Sequence, residues 1–275
     1  MTASRVLFDA TFGSPFAQRV QIALKEKGLD YSVRQVDLAN KDDEFLAMYR
    51  AILPDPAASA KVPILRDGDI GLVESSVIVE YLEHKYPEPP LLPADPAAAA
   101  GVRLFLDAFH RQFPAAFFAL LGADTPAAVE AARQKLQTVL EALDGLLLAH
   151  GSSQGGDYFA GGHYTLAEVV ATTLLQRAVL VLPAHRGIDV WQLIRDAKLD
   201  RLESWLQAAL ARPSAAETQP DAKAVIATFA AFVAPLKQEE EAPEADKAAP
   251  AAEKPGRLAR LASVMPGRKH AAPSA

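Results

Sequence analysis

The apolar and polar positions at the start of the chain follow two different periods. Residues 5–8, Arg-Val-Leu-Phe, are rich in β-forming side chains, and residues 31–38 alternate between apolar and polar side chains, which predicts two strands. Between them, apolar residues recur at helical spacing. We expect a helix there that begins near Ser14, carries Pro15 in its first turn, and ends at Gly28.

The next segment predicts a second helix, a hairpin and a third helix. We expect a helix at residues 43–49 and a loop at 52–60. A hairpin follows, with strands at residues 62–65 and 71–73 and a turn at 67–68, and then a helix at 74–85. The resulting order, βαβα followed by ββα, resembles the thioredoxin-like domain. We therefore expect an α/β domain over residues 1–88.

Helical patterns dominate after a proline-rich linker at residues 87–96, where a domain boundary is expected. Long helices are predicted at residues 97–121, 127–149, 199–210 and 221–233. Thr165 and Glu168 have capping-box spacing, and the apolar helix that follows them, to about residue 181, is expected at the centre of this part. The pattern predicts an all-α domain over residues 96–235.

The composition changes to Glu, Ala, Pro and Lys near residue 236. Such a segment buries too little apolar surface to offset its ordering entropy, so we expect residues 236–275 to form a disordered charged tail. Within it, residues 257–263 have the pattern of a short basic amphipathic helix or of a basophilic kinase site. A merely solvated tail is the alternative.

Composition narrows the possible chemistry. Half of the 275 residues are apolar, and the formal net charge of −6 argues against a general nucleic-acid binder. The absence of cysteine excludes disulfides, zinc–thiolate sites and a protein thiol nucleophile, and the six histidines are too scattered to predict a metal site. No apolar run approaches the ~20 residues that span a bilayer, and no signal-peptide core is present, so a cytoplasmic protein is expected.

Residues 14–28 read Ser-Pro-Phe-x-x-Arg-Val-x-Ile-Ala-Leu-x-x-Lys-Gly, and this run resembles the serine-type glutathione transferases, the plant tau class especially. The omega and lambda classes are also similar, but they carry cysteine where Ser14 stands. In that family the cysteine reduces mixed disulfides and dehydroascorbate, whereas the serine supports addition of glutathione to electrophiles. The resemblance therefore implies conjugation. The lack of a tyrosine before Tyr31 separates the chain from the tyrosine-type classes.

Ser14 is the candidate catalytic residue. A free thiol has a pKa near 8.5, and a charge-assisted hydrogen bond from a hydroxyl, worth about 1.5–3 kcal/mol, lowers that pKa by about one to two units. The positive end of a helix dipole acts in the same direction. Ser14 is expected to keep bound glutathione ionised, so that glutathione rather than the protein is the nucleophile. The alternative is that Ser14 only caps the helix.

The resemblance also implies which residues hold glutathione. Val62-Pro63 is similar to the family's Val-Pro pair, whose peptide bond is cis and whose valine backbone pairs with the cysteinyl part. Glu74-Ser75 matches the family's acid–serine pair, which grips the γ-glutamyl amine and carboxylate. A carboxylate suits the ammonium group, and the hydroxyl and N–H groups of a helix start suit the carboxylate. A trans proline on an edge strand and a simple helix cap are the alternatives.

Two lysines complete the expected binding residues. Lys41 and Lys61 resemble the tau-class lysines that reach the glycyl carboxylate, although each is otherwise an ordinary surface lysine. An insertion at residues 52–59 departs from the family's shorter loop before Lys61, which weakens that assignment. Arg19, on the same helix as Ser14, is expected either to be structural or to support the site from behind its binding residues, and in both cases to pair with an acid.

His110, Arg111 and Phe113 lie on the first long helix, where the family builds its electrophile site; core packing and a solvated histidine are the alternative. The sequence thus predicts a serine-type glutathione transferase with glutathione as co-substrate, no metal, and a small electrophilic molecule as its partner. By family habit, a homodimer is expected. The rival interpretation is a non-catalytic ligand carrier or protein-assembly module of the same fold, which the charged tail favours.

Overall fold

The computed structural model describes residues 5–153 and 155–237. Within them are the strands β1 (Arg5–Ala10), β2 (Ser32–Val36), β3 (Ile64–Asp67) and β4 (Ile70–Val73). They form a four-stranded sheet in the order β2-β1-β3-β4. Strand β1 pairs in parallel with β2 and antiparallel with β3, and β3 and β4 form a hairpin.

Ten helices and the loops that connect them form the rest of the described chain. The first three are α1 (Pro15–Glu26), α2 (Asp43–Ile52) and α3 (Ser75–Lys85). After them come α4 (Pro96–Gly122), α5 (Pro126–His150), α6 (Leu166–Arg186), α7 (Val190–Asp196), α8 (Asp200–Ala211), α9 (Pro213–Ala216) and α10 (Ala222–Phe229), and a 3-10 turn at Ala230–Phe232. The predicted fold class, a thioredoxin-like α/β part followed by an all-helical part, is confirmed.

Helix α1 joins the sheet to the helical part, because it packs against both α3 and α6. Its buried Val20 and Leu24 share one continuous apolar core with Leu7 of β1 and with the buried faces of α4, α5 and α6. A second, smaller core lies under α2, where the rings of Phe8 and Phe45 meet at 6.3 Å. The boundary predicted between residues 88 and 96 therefore separates two kinds of structure that pack as one compact unit.

Helix α6 is the centre of the helical part, as predicted. The capping box at its start is present, with Glu168 Oε2 accepting from the Thr165 N–H at 2.7 Å. The fully buried Glu168 also accepts from the Phe159 N–H and from Trp205 Nε1, each at 2.6 Å. Burial raises the pKa of this carboxyl. Glu168 therefore ties three segments together, where the sequence indicated only a local cap.

Among the described residues, Leu166–Arg186 is the one helix that is long and apolar enough to cross a membrane by length and composition. The statement that no apolar run approaches such a length was wrong. In the fold, 83% of its most apolar stretch is buried inside the protein. The apolar composition of this helix is explained by the neighbouring helices, which cover most of its length.

Several boundaries differ from the predicted ones. Strand β3 begins at Ile64 rather than two residues earlier, after Pro63, which has no N–H for strand pairing. Helices α7 and α9 were not predicted, because they are too short to show a clear helical period. Apart from its first two residues, the predicted tail at 236–275 lies outside the described residues.

Candidate functional site

Ser14 lies in the turn between β1 and α1, at the N-cap of α1. Its N–H donates to Asp9 Oδ1 at 2.9 Å, and its Oγ accepts from the N–H of Phe16 at 3.2 Å. The residue is only 5% exposed. Because Oγ serves the helix as an acceptor, and no acceptor for its O–H is found in the described part of the chain, the hydroxyl proton is left for a ligand.

Two buried groups of opposite charge hold this turn. Asp9 accepts from the N–H of Ser14 and from Gln21 Nε2, each at 2.9 Å, and burial raises its pKa to about 6. Arg177 of α6 donates to the carbonyl of Gly13 at 3.2 Å, and burial lowers its pKa to about 10. The position of Ser14 therefore depends on a side chain from the helical part.

Gly13 is required at this turn by both conformation and space. Its φ of +75° lies in the left-handed region, where glycine is favoured. A Cβ at this position would lie 2.5 Å from Cγ of Pro220, in the segment before α10. Pro220 therefore packs against the turn that contains Ser14, and it lies even further along the chain than Arg177 does.

Of the other predicted binding residues, Lys41 lies between β2 and α2, Lys61, Val62 and Pro63 directly precede β3, and Glu74 and Ser75 follow β4. The Val62–Pro63 peptide bond is cis, and both residues are buried just before β3. Glu74 is exposed at the N-cap of α3, with φ +66°, a conformation that non-glycine residues rarely adopt. Ser75, buried, is the first residue of α3. Because strained backbone concentrates at ligand sites, the φ of Glu74 marks this helix start as a candidate binding point.

Arg19 lies behind Ser75, buried between α1, α3 and α6. Its Nε donates to the Val170 carbonyl at 3.0 Å and its Nη1 to Ser75 Oγ at 3.3 Å, while Nη1 also contacts His110 Nε2 at 3.4 Å. The prediction that Arg19 pairs with an acid is wrong. Within the described residues the partners of its Nε and Nη1 are a carbonyl of α6, a hydroxyl of α3 and an imidazole of α4, because these groups lie where those two nitrogens point.

Two neighbouring cavities bring together every catalytic and binding residue predicted from the sequence. The first, of about 160 Å³, is lined by Phe16, Tyr49, Lys61, Val62, Pro63, Glu74 and Ser75. The second, of about 240 Å³, has Ser14, Lys41, Lys61 and Val62 among its lining residues. The cavities adjoin, since Phe16, Lys61 and Val62 line both. The roles assigned to these side chains stay predictions.

The second cavity has an aromatic wall opposite its polar residues. Phe118 of α4 packs against the rings of Phe229 and Phe232, with ring centroids 6.3 Å and 5.3 Å away. All three rings line the cavity, together with Phe12 and Phe16. A planar apolar molecule fits such a wall, and Ser14 lies in the same cavity.

The electrophile-site residues predicted on α4 do not reach this cavity. Phe113 is fully buried in the core, Arg111 is exposed, and His110 contacts Arg19. Core packing, the alternative reading, holds for Phe113. Phe118 is the α4 residue that lines the cavity. The spacing of the phenylalanines along α4 did not show which of them lies in the core and which lines a cavity.

No group of three or more His, Asp or Glu side chains suited to a metal ion occurs among residues 5–153 and 155–237.

Comparison with known proteins gives the family. Residues 7–90 match the glutathione S-transferase N-terminal domain, and residues 126–208 match the glutathione S-transferase C-terminal domain. The chain belongs to the glutathione transferase family. Members of the family use glutathione as co-substrate.

Three individual proteins are similar to this chain over most of their own length. A probable glutathione S-transferase from Glycine max is 29% identical over 220 residues, 80% of this chain and 90% of that protein. The structure of glutathione transferase Omega 3C from Trametes versicolor matches with a TM-score of 0.69 and 26% identity, over 83% of this chain and 90% of the other. A Stringent starvation protein A homolog from Coxiella burnetii is 32% identical over 175 residues, 64% of this chain and 74% of that protein.

The sequence pattern did not reveal the roles of Asp9, Arg177 and the aromatic wall in this member of the family. A weak signal was present for the first two, since Asp9 follows three apolar residues of β1 and Arg177 precedes five apolar residues of α6. Buried charges of this kind are uncommon unless they have partners. Nothing in the local pattern indicated that the partners would be the backbone around Ser14.

Proposed function

We propose that the protein conjugates glutathione to small electrophiles, with Ser14 stabilising the thiolate. The observation that carries this proposal is the Ser14 hydroxyl, which has no acceptor among the described residues and lies in a cavity that adjoins the one lined by Glu74 and Ser75. In the reaction, the thiol proton of glutathione passes to solvent and the sulfur bonds to the electrophilic carbon. The leaving group, a halide for an aryl halide, departs with the bonding electron pair.

The remaining site residues receive roles in binding. Glu74 attracts the γ-glutamyl ammonium, while Ser75 and the N–H groups at the start of α3 bind the neighbouring carboxylate. The Val62 backbone pairs with the cysteinyl part, next to the cis Pro63. Lys41 and Lys61 attract the glycyl carboxylate, and their presence in the same cavity supports this assignment.

The test is turnover of glutathione with an aryl halide by Ser14 variants. Loss of a hydrogen bond worth about 1.5–3 kcal/mol lowers kcat/KM of Ser14→Ala by about 10- to 100-fold near neutral pH. The pKa of the bound thiol, read from thiolate absorbance, rises by about one to two units. Ser14→Thr keeps a hydroxyl and retains activity.

Ser14→Gly is the matched control for helix capping. Glycine replaces serine at an N-cap at a cost of only a few tenths of a kcal/mol, so this variant stays folded but has no hydroxyl. We expect it to be as inactive as Ser14→Ala. If Ser14→Gly turns over like the wild type, capping is the only role of the serine and the proposal fails.

A non-catalytic carrier or assembly module is the second candidate. The similarity to a protein named Stringent starvation protein A homolog favours it, because that name describes no transferase. Calorimetric binding of glutathione with no turnover of any acceptor in a panel, by either the wild type or Ser14→Ala, would support this candidate.

We also propose domain limits and an assembly. Residues 1–88 form the glutathione-binding domain and residues 96–235 the electrophile-binding domain of a cytoplasmic homodimer. The division is supported by the positions of the described strands, which all precede residue 74, and by the helical chain from Pro96 onward. Light scattering on the eluting peak of a size-exclusion column measures the assembly.

A further inference from the structure

Arg19 is a buried cation that forms no ion pair with any acid in the described part of the chain. The residue is 2% exposed, and in the described chain its hydrogen-bond partners are the Val170 carbonyl, Ser75 Oγ and His110 Nε2. Its Nη2 is buried and has no partner among the described residues. Burial and the nearby guanidinium lower the pKa of His110 to about 4, so the imidazole is neutral at pH 7.

A guanidinium in such surroundings is costly to bury. Charged groups taken out of water are usually paired with an opposite charge, because desolvation otherwise costs several kcal/mol. Burial lowers the pKa of Arg19 to about 9, which still leaves the group charged at pH 7. Among residues 5–153 and 155–237, no acid therefore neutralises this positive charge.

The charge lies directly behind the first cavity. The Arg19 guanidinium packs over the Phe16 ring at 4.9 Å and donates to Ser75 Oγ, and both Phe16 and Ser75 line that cavity. Since Ser75 Oγ accepts from Arg19, its own O–H is left to donate to an acceptor in the cavity. Helix α3 also begins at Ser75, so its positive end is at the same point.

We infer that Arg19 is a specificity-determining residue, which selects ligands that place a carboxylate against Ser75. The carboxylate neutralises the buried charge through the Ser75 hydroxyl, without contacting the guanidinium. This inference rests on the proposed function, in which that carboxylate belongs to the γ-glutamyl end of glutathione. Arg19 is a positioning residue for the ligand and takes no part in the bond-making step.

The test compares two ligands by calorimetry, with no turnover required. They are glutathione and the same tripeptide without its γ-glutamyl α-carboxylate. We expect the wild type to bind glutathione at least about tenfold more tightly, equivalent to about 1.4 kcal/mol. In Arg19→Gln this preference shrinks to less than about threefold, whereas Arg19→Lys retains most of it. Arg133→Gln, which removes an exposed guanidinium on α5, leaves the preference unchanged.

A second measurement needs no uncharged variant. In the wild type, the Nε–H resonance of Arg19, assigned with the help of Arg19→Lys, shifts on addition of glutathione and not on addition of the analogue. A purely structural arginine shifts equally with both ligands or with neither. If folded Arg19→Gln keeps the preference for glutathione over the analogue, or if both ligands shift the Arg19 resonance equally, the inference about Arg19 is overturned and the proposed function is unaffected. If the wild type binds no glutathione, the proposed function fails as well.

Discussion

Replacing Asp9 by Asn tests the electrostatics of the turn that carries Ser14. Burial raises the pKa of Asp9 from 3.8 to about 6. The Asn side chain keeps an oxygen for the backbone N–H of Ser14, and Gln21 meets the new amide by rotating its own. The substitution therefore removes the buried charge and retains the hydrogen bonds.

The expected change in stability follows from the shift in pKa. A carboxyl with a raised pKa binds its proton more tightly in the folded state, so its contribution to stability is present below pH 3.8 and is lost as the pH rises through about 6. A shift of about two units corresponds to about 3 kcal/mol. We expect Asp9→Asn to match the wild type near pH 4 and to be more stable by up to about 3 kcal/mol at pH 8.

Urea unfolding of the wild type and of Asp9→Asn, repeated at intervals between pH 4 and pH 8, measures this difference. Asp37, an exposed aspartate that also accepts a backbone hydrogen bond, gives the control variant Asp37→Asn, which stays within about 0.5 kcal/mol of the wild type. The reasoning is refuted if the wild type is the more stable protein at pH 8, or if the difference between the two is the same at every pH.

Two further predictions concern the turn and the aromatic wall. Gly13→Ala places a Cβ at a positive φ and against Pro220, whereas Gly28→Ala has a similar φ but no atom within 4 Å of the new Cβ. In urea unfolding we expect Gly13→Ala to be about 1–3 kcal/mol less stable than Gly28→Ala. Equal stabilities would show that the contact with Pro220 has no effect. Phe118→Ala removes stacking and burial worth about 1–2 kcal/mol from the aromatic wall. In steady-state kinetics we therefore expect KM for an aryl halide to rise about 5- to 30-fold, with KM for glutathione unchanged. A rise in KM for glutathione alone would contradict the assignment of this wall to the electrophile.

The sequence was informative where a local rule decides the structure. A serine before a proline placed the start of α1, and a threonine three residues before a glutamate placed the start of α6. Hairpin and linker positions followed from glycine and proline in the same way. The predicted site residues were found together because they lie next to the ends of strands or the starts of helices, either just before β3 or near the N-termini of α1, α2 and α3.

Contacts between distant segments could not be predicted. Arg177 and Gly13 are 164 positions apart, and Arg19 and Val170 are 151 apart, so no local pattern records that they meet. An acid was expected beside Arg19 because buried arginines are usually paired, and a backbone carbonyl of α6 is there instead. The aromatic wall was missed for a similar reason, since Phe118 and Phe229 come together only when α10 folds against α4.

The dependence of the Ser14 turn on Arg177 and Pro220 restricts how this chain can be recombined with its relatives. A chimera that joins residues 1–90 to another protein's helices inherits Ser14 but not the guanidinium and the proline ring that contact the preceding glycine. Such hybrids are expected to bind peptide yet align its sulfur poorly, unless the donor helices carry equivalents of those two residues.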